Sequence, residues 1–325
     1  ARGRGKNGAA TSGAAAQPEI AEKTRACEAY GAEVVRLSVG PELFYYFLII
    51  LEETGYFNAS LYTPYSILGI ETLGYELALQ VKAREGRFPD VVMATHAGGG
   101  NVTGTARGLI KAGATDTSMV AASVDLSGLH MASDRDFNRK SFTTGHTGFS
   151  VPFSTWPDHT DVPRNAARSL RYMDRFVTVT QGEVFYVTEA LAAIEGMERG
   201  PAGNTSLAAA FAIAREMNRE HIIVVQETEY TGAGKHPIAQ LNLARRMGVE
   251  VARGDPRDNK PGEHIVIPES VADGNATSHG MHALLTHPEQ YAALEADPEG
   301  LMSTAVDDRA SADPTSSAVR SGPTG

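Results

Sequence analysis

The sequence is short of cysteine and of long apolar runs. Cys27 is the only cysteine among 325 residues, so the chain can form neither an intramolecular disulfide nor a cysteine-based zinc site. The longest apolar run spans only residues 43–51, whereas a helix needs roughly 20 apolar residues to cross a bilayer. The first residues also lack the apolar stretch of a secretory signal. We therefore predict a cytoplasmic protein without a membrane-spanning segment.

Positive charge is scarce as well. The sequence has 29 lysines and arginines against 39 acidic residues, which gives a net charge of -10. Nucleic-acid binding needs a basic surface that offsets phosphate charge, so we predict no nucleic-acid partner. His130, His146 and His159 do not have the spacing of metal ligands, and we predict no metal site. His96 follows an apolar strand and is expected to be structural, with ligand contact as the alternative.

Helical and strand patterns alternate along most of the chain. The predicted helices run from Pro18 to a stop at Gly31 and over residues 73–84, 105–111, 205–219 and 238–247. The predicted strands cover residues 33–39, 90–95, 118–124, 222–226 and 249–252. Alternation of this kind, with strands apolar on both faces, indicates an α/β fold with a mainly parallel sheet between helices. We assign residues 17–268 to this region, and residues 1–16 and 269–325 to weakly ordered or disordered ends.

A glycine-rich loop follows the second predicted strand. Residues 95–104 read THAGGGNVTG and lie between a strand and a helix. Glycine lets backbone amides approach an anion, and a helix N-terminus attracts negative charge, so the loop suits a phosphate. The spacing of Gly98, Gly100 and Gly104 is one residue too long for a dinucleotide fingerprint. The alternative is that these glycines only make a tight turn.

A second glycine-rich loop follows the strand at residues 222–226. Residues 226–237 read QETEYTGAGKHP, in which the Thr231 hydroxyl is placed either to bond a ligand nitrogen or to cap a turn. Both loops follow the carboxyl ends of predicted parallel strands, where ligands bind in open α/β sheets. Two such loops indicate a ligand site more strongly than either loop alone.

Residues 90–104 resemble the phosphate loop of fold-type II pyridoxal-phosphate enzymes, the group of threonine synthase and tryptophan synthase β. The resemblance implies that the cofactor phosphate is held by Gly98, Gly99, Gly100 and Asn101. The segment YTGAGK resembles the threonine-synthase segment whose threonine faces the pyridine nitrogen, which implies that role for Thr231. It further implies a tryptophan-synthase-β-like fold of three layers with mainly parallel sheets, here with an incomplete N-terminal part.

Longer stretches between residues 17 and 268 are similar to the β subunits of 2-amino-4-ketopentanoate thiolases, among them EGMERGPAGNTSLAAAFAIAREM. The resemblance implies a pyridoxal-phosphate-dependent acyltransferase of ornithine degradation. Such an enzyme cleaves 2-amino-4-oxopentanoate with coenzyme A to acetyl-CoA and alanine, in an oligomer with a small α subunit. Two alternatives stay open: another fold-type II reaction, such as threonine-synthase-like β-elimination or β-replacement, and an inactive descendant or fragment.

The family also implies a Schiff-base lysine about thirty residues ahead of a Ser-Gly-Asn loop, and the sequence shows neither convincingly. Lys6 lies too close to residues 11–13, and Ala14 stands where asparagine is expected. Lys23 and Lys235 do not match the family's position for this lysine. We therefore name no catalytic residue and expect an N-terminally truncated or degenerate β subunit.

Overall fold

The computed structural model describes residues 18–34, 43–59, 63–126, 141–143, 168–228 and 236–279. The helices are α1 Pro18–Ala29, α2 Leu43–Thr54, α3 Pro64–Glu85, α4 Gly100–Lys111, α5 Gln181–Glu195, α6 Thr205–Ala214 and α7 Pro237–Arg246. The strands are β1 Val91–Thr95, β2 Ser118–Val124, β3 Arg175–Val179, β4 Ile223–Gln226, β5 Glu250–Arg253, β6 His264–Ile267 and β7 Thr277–His279. Short 3-10 turns cover Ser169–Arg171, Pro256–Asp258 and Val271–Asp273.

The larger sheet has the strand order β4-β1-β2-β3-β7. Strands β4, β1, β2 and β3 are parallel, and β7 adds to β3 in the antiparallel direction. A separate parallel pair is formed by β5 and β6. The predicted α/β fold with a mainly parallel sheet is therefore confirmed.

Helices cover both faces of the larger sheet. On one face, Val91 and Met93 of β1 pack in an apolar cluster with residues of α5 and α6. On the other face, Val92 and Ala94 pack against residues of α3 and α4. Successive strand residues point to opposite faces, so a continuous apolar run such as β1 serves both layers. This gives the three layers that the resemblance implied.

Helices α3 and α4 pack very closely through glycines. A Cβ atom on Gly74 would lie 2.0 Å from the Thr105 carbonyl oxygen, and one on Gly108 would lie 2.1 Å from the Glu71 carbonyl oxygen. The buried Glu71 side chain also pairs with Lys111, which fixes α4 on α3. Because α4 carries the glycine-rich loop at its N-terminus, this packing positions the candidate site.

Several element boundaries differ from the sequence predictions. Helix α3 begins at Pro64, where Thr63 Oγ1 accepts a hydrogen bond from the Ser66 amide at 3.2 Å. Helix α4 begins at Gly100 and not at residue 105, because tight packing on α3 offsets the poor helix propensity of its glycines. Helix α6 ends at Ala214 and not at residue 219. Most of the strand predicted at residues 33–39 lies outside the described residues.

The segment after β6 contains ordered elements inside the region predicted to be a disordered tail. Side chains of distant helices bond to the Val271–Asp273 turn and to the residues directly after it, and β7 pairs with β3. Glu183 of α5 accepts a hydrogen bond from the Asn275 amide, and Arg215, next to α6, donates to carbonyl groups of the same segment. Residues 1–17 and 280–325 lie outside the described part, so the predicted domain division stays a prediction.

Among the described residues, no helix is long and apolar enough to cross a membrane.

Candidate cofactor site

The glycine-rich loop lies at the carboxyl edge of the sheet, between two neighbouring parallel strands. Strand β1 ends at Thr95 beside the end of β4, and the loop leads from there into α4. Gly99 takes a left-handed φ of 81° and is the N-cap of the helix. The first helical hydrogen bond of α4 is donated by the Thr103 amide to the Gly99 carbonyl oxygen, at 3.0 Å. The amides before it have no intrahelical acceptor, and unpaired amides at a helix N-terminus are suited to bind an anion.

The side chain of Asn101 adds a further donor to these amides. Its Oδ1 accepts a hydrogen bond from Gln226 Nε2 at 2.7 Å, and Gln226 Oε1 accepts one from the Thr105 hydroxyl at 3.0 Å. Asn101 Nδ2 is buried and has no hydrogen-bond partner among the described residues. A buried donor without a partner costs about 1–3 kcal/mol, so such a donor is expected where a ligand supplies the acceptor.

A second hydrogen-bond network ties the start of α6 to the same edge. The Ser206 amide donates to Thr95 Oγ1 at 3.2 Å, and Ser206 Oγ donates to the Gln226 carbonyl at 3.0 Å. Asn204 is the N-cap residue, but its side chain donates to Thr188 at 3.0 Å and does not cap the helix. These bonds fix α6 against both strands that carry the candidate loops.

His96 is a buried structural residue of the strand end. Its side chain is 1% exposed, and Nε2 lies 2.8 Å from the Ser169 hydroxyl oxygen. The ring also packs edge-on against Phe176, with 5.8 Å between centroids. These contacts agree with the structural role expected from the sequence.

Glu227 lies directly after β4 and was not singled out by the sequence. Burial raises the pKa of its carboxyl group to about 7, although the positive charge of Arg199 lowers it in part. A carboxyl group whose pKa lies near neutral, at the edge where both candidate loops begin, is suited to proton transfer. The only sequence signal was an acidic residue directly after a buried strand.

Part of the predicted site falls outside the described residues. Thr231 belongs to residues 229–235, which the structure does not describe, so its pyridine contact stays a prediction. Lys6 and Lys235 are outside the described residues too, and Lys23 lies on α1. Within the described ranges, no group of three or more histidine, cysteine, aspartate or glutamate side chains is arranged to hold a metal ion.

Comparison with known proteins identifies the family. The model of the family described as "Pyridoxal-phosphate dependent enzyme" matches residues 10–228, which include the glycine-rich loop and all four strands of the parallel core. The chain belongs to this pyridoxal-phosphate-dependent enzyme family.

Two curated relatives are named 2-amino-4-ketopentanoate thiolase beta subunit. One, from an unknown prokaryotic organism, is 69% identical over 268 residues, and the other, from Acetoanaerobium sticklandii, is 65% identical over 268 residues. In both cases the match covers 82% of this chain and 57% of the relative. The chain thus spans little more than half the length of these relatives.

A solved structure supports the fold. O-ureido-L-serine synthase superposes with a TM-score of 0.50 at 18% identity, over 69% of this chain and 64% of that chain. The fold-type II architecture expected from the resemblance is confirmed by the family match and by the mainly parallel sheet.

The described residues fit the phosphate group of the family's cofactor. A phosphate dianion is bound by several hydrogen-bond donors, and the first-turn amides of α4 together with Asn101 Nδ2 are donors of the required kind. Residues 95–104 contain no acidic side chain that would repel it. The site therefore has the donor set that a pyridoxal-phosphate enzyme needs at this loop.

Proposed function

We propose that the chain binds the phosphate of pyridoxal 5′-phosphate at Gly98, Gly99, Gly100 and Asn101, with Thr231 at the pyridine nitrogen. The observation that carries the proposal is the buried Asn101 Nδ2, which lies at the start of α4 without a partner among the described residues. The preceding glycines leave room for close approach of the phosphate to the backbone.

We further propose that the chain acts as the β subunit of a 2-amino-4-ketopentanoate thiolase. Support comes from the relatives of that name at 69% and 65% identity. The reaction is cleavage of 2-amino-4-oxopentanoate by coenzyme A. The thiol sulfur bonds to C4, the C3–C4 bond breaks, and C3 takes up a proton, so that acetyl-CoA and alanine form.

The bound cofactor would supply the electron sink that accepts the charge left on the amino-acid fragment. The residues of this chain would then hold and orient it, with the α4 cradle fixing the phosphate and Thr231 as a neutral partner of the ring. Glu227, with its pKa raised to about 7, has the protonation behaviour needed of a group that delivers a proton near the site.

The partner proposed for this chain is a small α subunit, because its relatives are named as β subunits. An oligomer containing both subunits would be the active form, with coenzyme A and 2-amino-4-oxopentanoate as its small-molecule substrates. Localisation in the cytoplasm is proposed from the sequence composition.

The function is tested by mixing the purified chain with pyridoxal 5′-phosphate, recording its absorbance, and mapping peptides after borohydride reduction. A single reduced lysine would identify the catalytic lysine that the sequence does not reveal. Formation of acetyl-CoA and alanine on addition of the α subunit and substrates would support the thiolase. Cofactor binding without this reaction would favour another fold-type II activity, and no binding would favour an inactive fragment.

Replacing Asn101 tests the phosphate cradle. Asn101→Ala removes the buried donor, so we expect roughly 10- to 100-fold weaker binding of the phosphorylated cofactor, since a hydrogen bond to a charged group contributes about 1.5–3 kcal/mol. Asn259→Ala is the matched control, because Asn259 also has a buried amide atom without a partner among the described residues but follows the Pro256–Asp258 turn. Equal affinity in both variants would contradict the proposed cradle.

A further inference from the structure

Gln226 is a buried polar residue at the end of an apolar row. Strand β4 pairs with β1 so that Val224 lies beside Val92, and Gln226 lies beside Ala94. Val92, Ala94 and Val224 all pack on the face that α3 and α4 cover. Gln226 lies on the same face of the sheet, at the carboxyl end of β4, and is only 6% exposed. A glutamine buried there must have its amide group satisfied.

Both ends of this amide are used, and both bond to α4. The Thr105 hydroxyl donates to Gln226 Oε1 at 3.0 Å, and Gln226 Nε2 donates to Asn101 Oδ1 at 2.7 Å. Asn101 and Thr105 are four residues apart and so lie on one side of the helix, one turn from each other. The glutamine therefore bridges the first turn of α4 from the neighbouring strand.

The bridge determines which end of the Asn101 amide is bonded to Gln226 and which end remains for another partner. In the structure the Thr105 hydroxyl donates to Gln226 Oε1, and the Gln226 NH2 group therefore meets Asn101. Asn101 must then turn its oxygen toward Gln226, and its own NH2 group points elsewhere. That NH2 group is the buried donor without a partner among the described residues.

We propose that Gln226 is a positioning residue that orients Asn101 Nδ2 toward the cofactor phosphate and so sets the affinity for the phosphorylated cofactor. This inference rests on the cofactor site proposed above. Gln226 is also the last residue of β4, directly before the loop that contains Thr231. One side chain would thus link the phosphate cradle to the strand that precedes the proposed ring-binding residue.

The test compares binding of pyridoxamine 5′-phosphate and pyridoxamine to the full chain by titration calorimetry. Neither compound has an aldehyde, so reaction with surface lysines does not interfere. Gln226→Leu removes both hydrogen bonds, and we expect roughly tenfold weaker binding of pyridoxamine 5′-phosphate, with pyridoxamine binding unchanged. A tenfold loss corresponds to about 1.4 kcal/mol.

Gln226→Glu tests the orientation itself. A carboxylate accepts hydrogen bonds from both Thr105 and Asn101, so the Asn101 amide would reverse and turn its oxygen toward the phosphate. We expect a larger loss of pyridoxamine 5′-phosphate affinity than for Gln226→Leu. This variant also keeps the inference testable if Gln226→Leu does not fold.

A double-mutant cycle separates positioning from general destabilisation. If Gln226 acts through Asn101, Gln226→Leu causes no further loss of affinity when combined with Asn101→Ala. Gln240→Leu is the matched control, because Gln240 is a buried glutamine on α7, outside the site. It is expected to leave binding of both ligands unchanged.

The possible outcomes distinguish this inference from the proposed function. If the unsubstituted chain does not bind pyridoxamine 5′-phosphate, the proposed cofactor site is wrong and the inference falls with it. If the chain binds and Gln226→Leu binds equally well, only the inference is overturned. Equal loss for both ligands, or a further loss on the Asn101→Ala background, would also overturn it, because Gln226 would then act through general structure.

Discussion

Replacing Gly108 with alanine should destabilise the protein, although alanine is the better helix former. In α4 the new Cβ atom would lie 2.1 Å from the Glu71 carbonyl oxygen and 2.6 Å from the Tyr75 amide nitrogen. Both are backbone atoms of α3, which cannot turn aside as a flexible side chain can. The two helices would have to separate, and overpacking of this kind costs about 1–3 kcal/mol.

The gain in helix propensity offsets only part of this cost. Glycine to alanine in a helix interior stabilises by about 1 kcal/mol when the new methyl group meets no obstacle. Because the new Cβ atom would lie so close to backbone atoms of α3, we expect the cost of overpacking to fall in the upper part of the range given above. We expect Gly108→Ala to lower the free energy of unfolding by about 1–2 kcal/mol in urea denaturation at fixed temperature.

Gly69→Ala is the matched control within the same helix pair. Gly69 is exposed on α3, and a Cβ atom there would meet nothing within 4 Å. The same substitution should therefore stabilise the protein by about 0.5–1 kcal/mol. A Gly108→Ala variant as stable as the unsubstituted chain, or shifted in the same direction as Gly69→Ala, would refute the close packing of α3 on α4.

Two further predictions concern the carboxyl groups of Glu227, which is partly buried, and Glu183, which is buried. Burial raises the pKa of Glu227 from 4.5 to about 7, so the contribution of this side chain to the stability of the fold falls as the pH rises through this range. Glutamine stays neutral, and Glu227→Gln should therefore stabilise the protein by about 1–3 kcal/mol at pH 8. Urea denaturation should show this gain vanishing below pH 4.5, and a gain independent of pH would contradict the raised pKa. The two carboxylate oxygens of Glu183 accept hydrogen bonds from the backbone amides of Thr180 and Asn275. In Glu183→Gln one oxygen becomes an NH2 group that faces one of these N–H donors, so the free energy of unfolding should fall by about 1–3 kcal/mol. Hydrogen exchange should then be faster in β7, and unchanged exchange there would contradict the role of Glu183.

Three of the four parallel strands of the larger sheet were predicted from the sequence, whereas β3 and α5 were not. Strands β1, β2 and β4 are short apolar runs bounded by polar residues or glycine, and such runs predict buried parallel strands without tertiary information. Helix α7 begins with a proline, which favours the first position of a helix. The glycine-rich loop was located correctly at the carboxyl end of β1 because its composition is distinctive.

Other features depended on contacts between distant residues. The start of α4 was placed five residues late, because glycine disfavours helix and only the packing on α3 explains a helix from Gly100. Strand β7 is only three residues long and forms by pairing with β3, after a segment that Glu183 and Arg215 hold, so no local periodicity marked it.

The polar contacts of the site were hidden from the sequence for the same reason. The bond between Gln226 and Asn101 joins residues 125 positions apart and depends on the register of β4 beside β1. The raised pKa of Glu227 depends on burial, which its neighbours along the chain do not reveal.

The central claim is that the start of α4 holds the phosphate of pyridoxal 5′-phosphate. A crystal structure of the full chain grown with the cofactor tests it most directly. We predict density for the phosphate against the backbone amides of residues 98–101, with Asn101 Nδ2 donating to one of its oxygens. A cofactor whose phosphate lies elsewhere, or crystals that take up no cofactor at saturating concentration, would contradict the account.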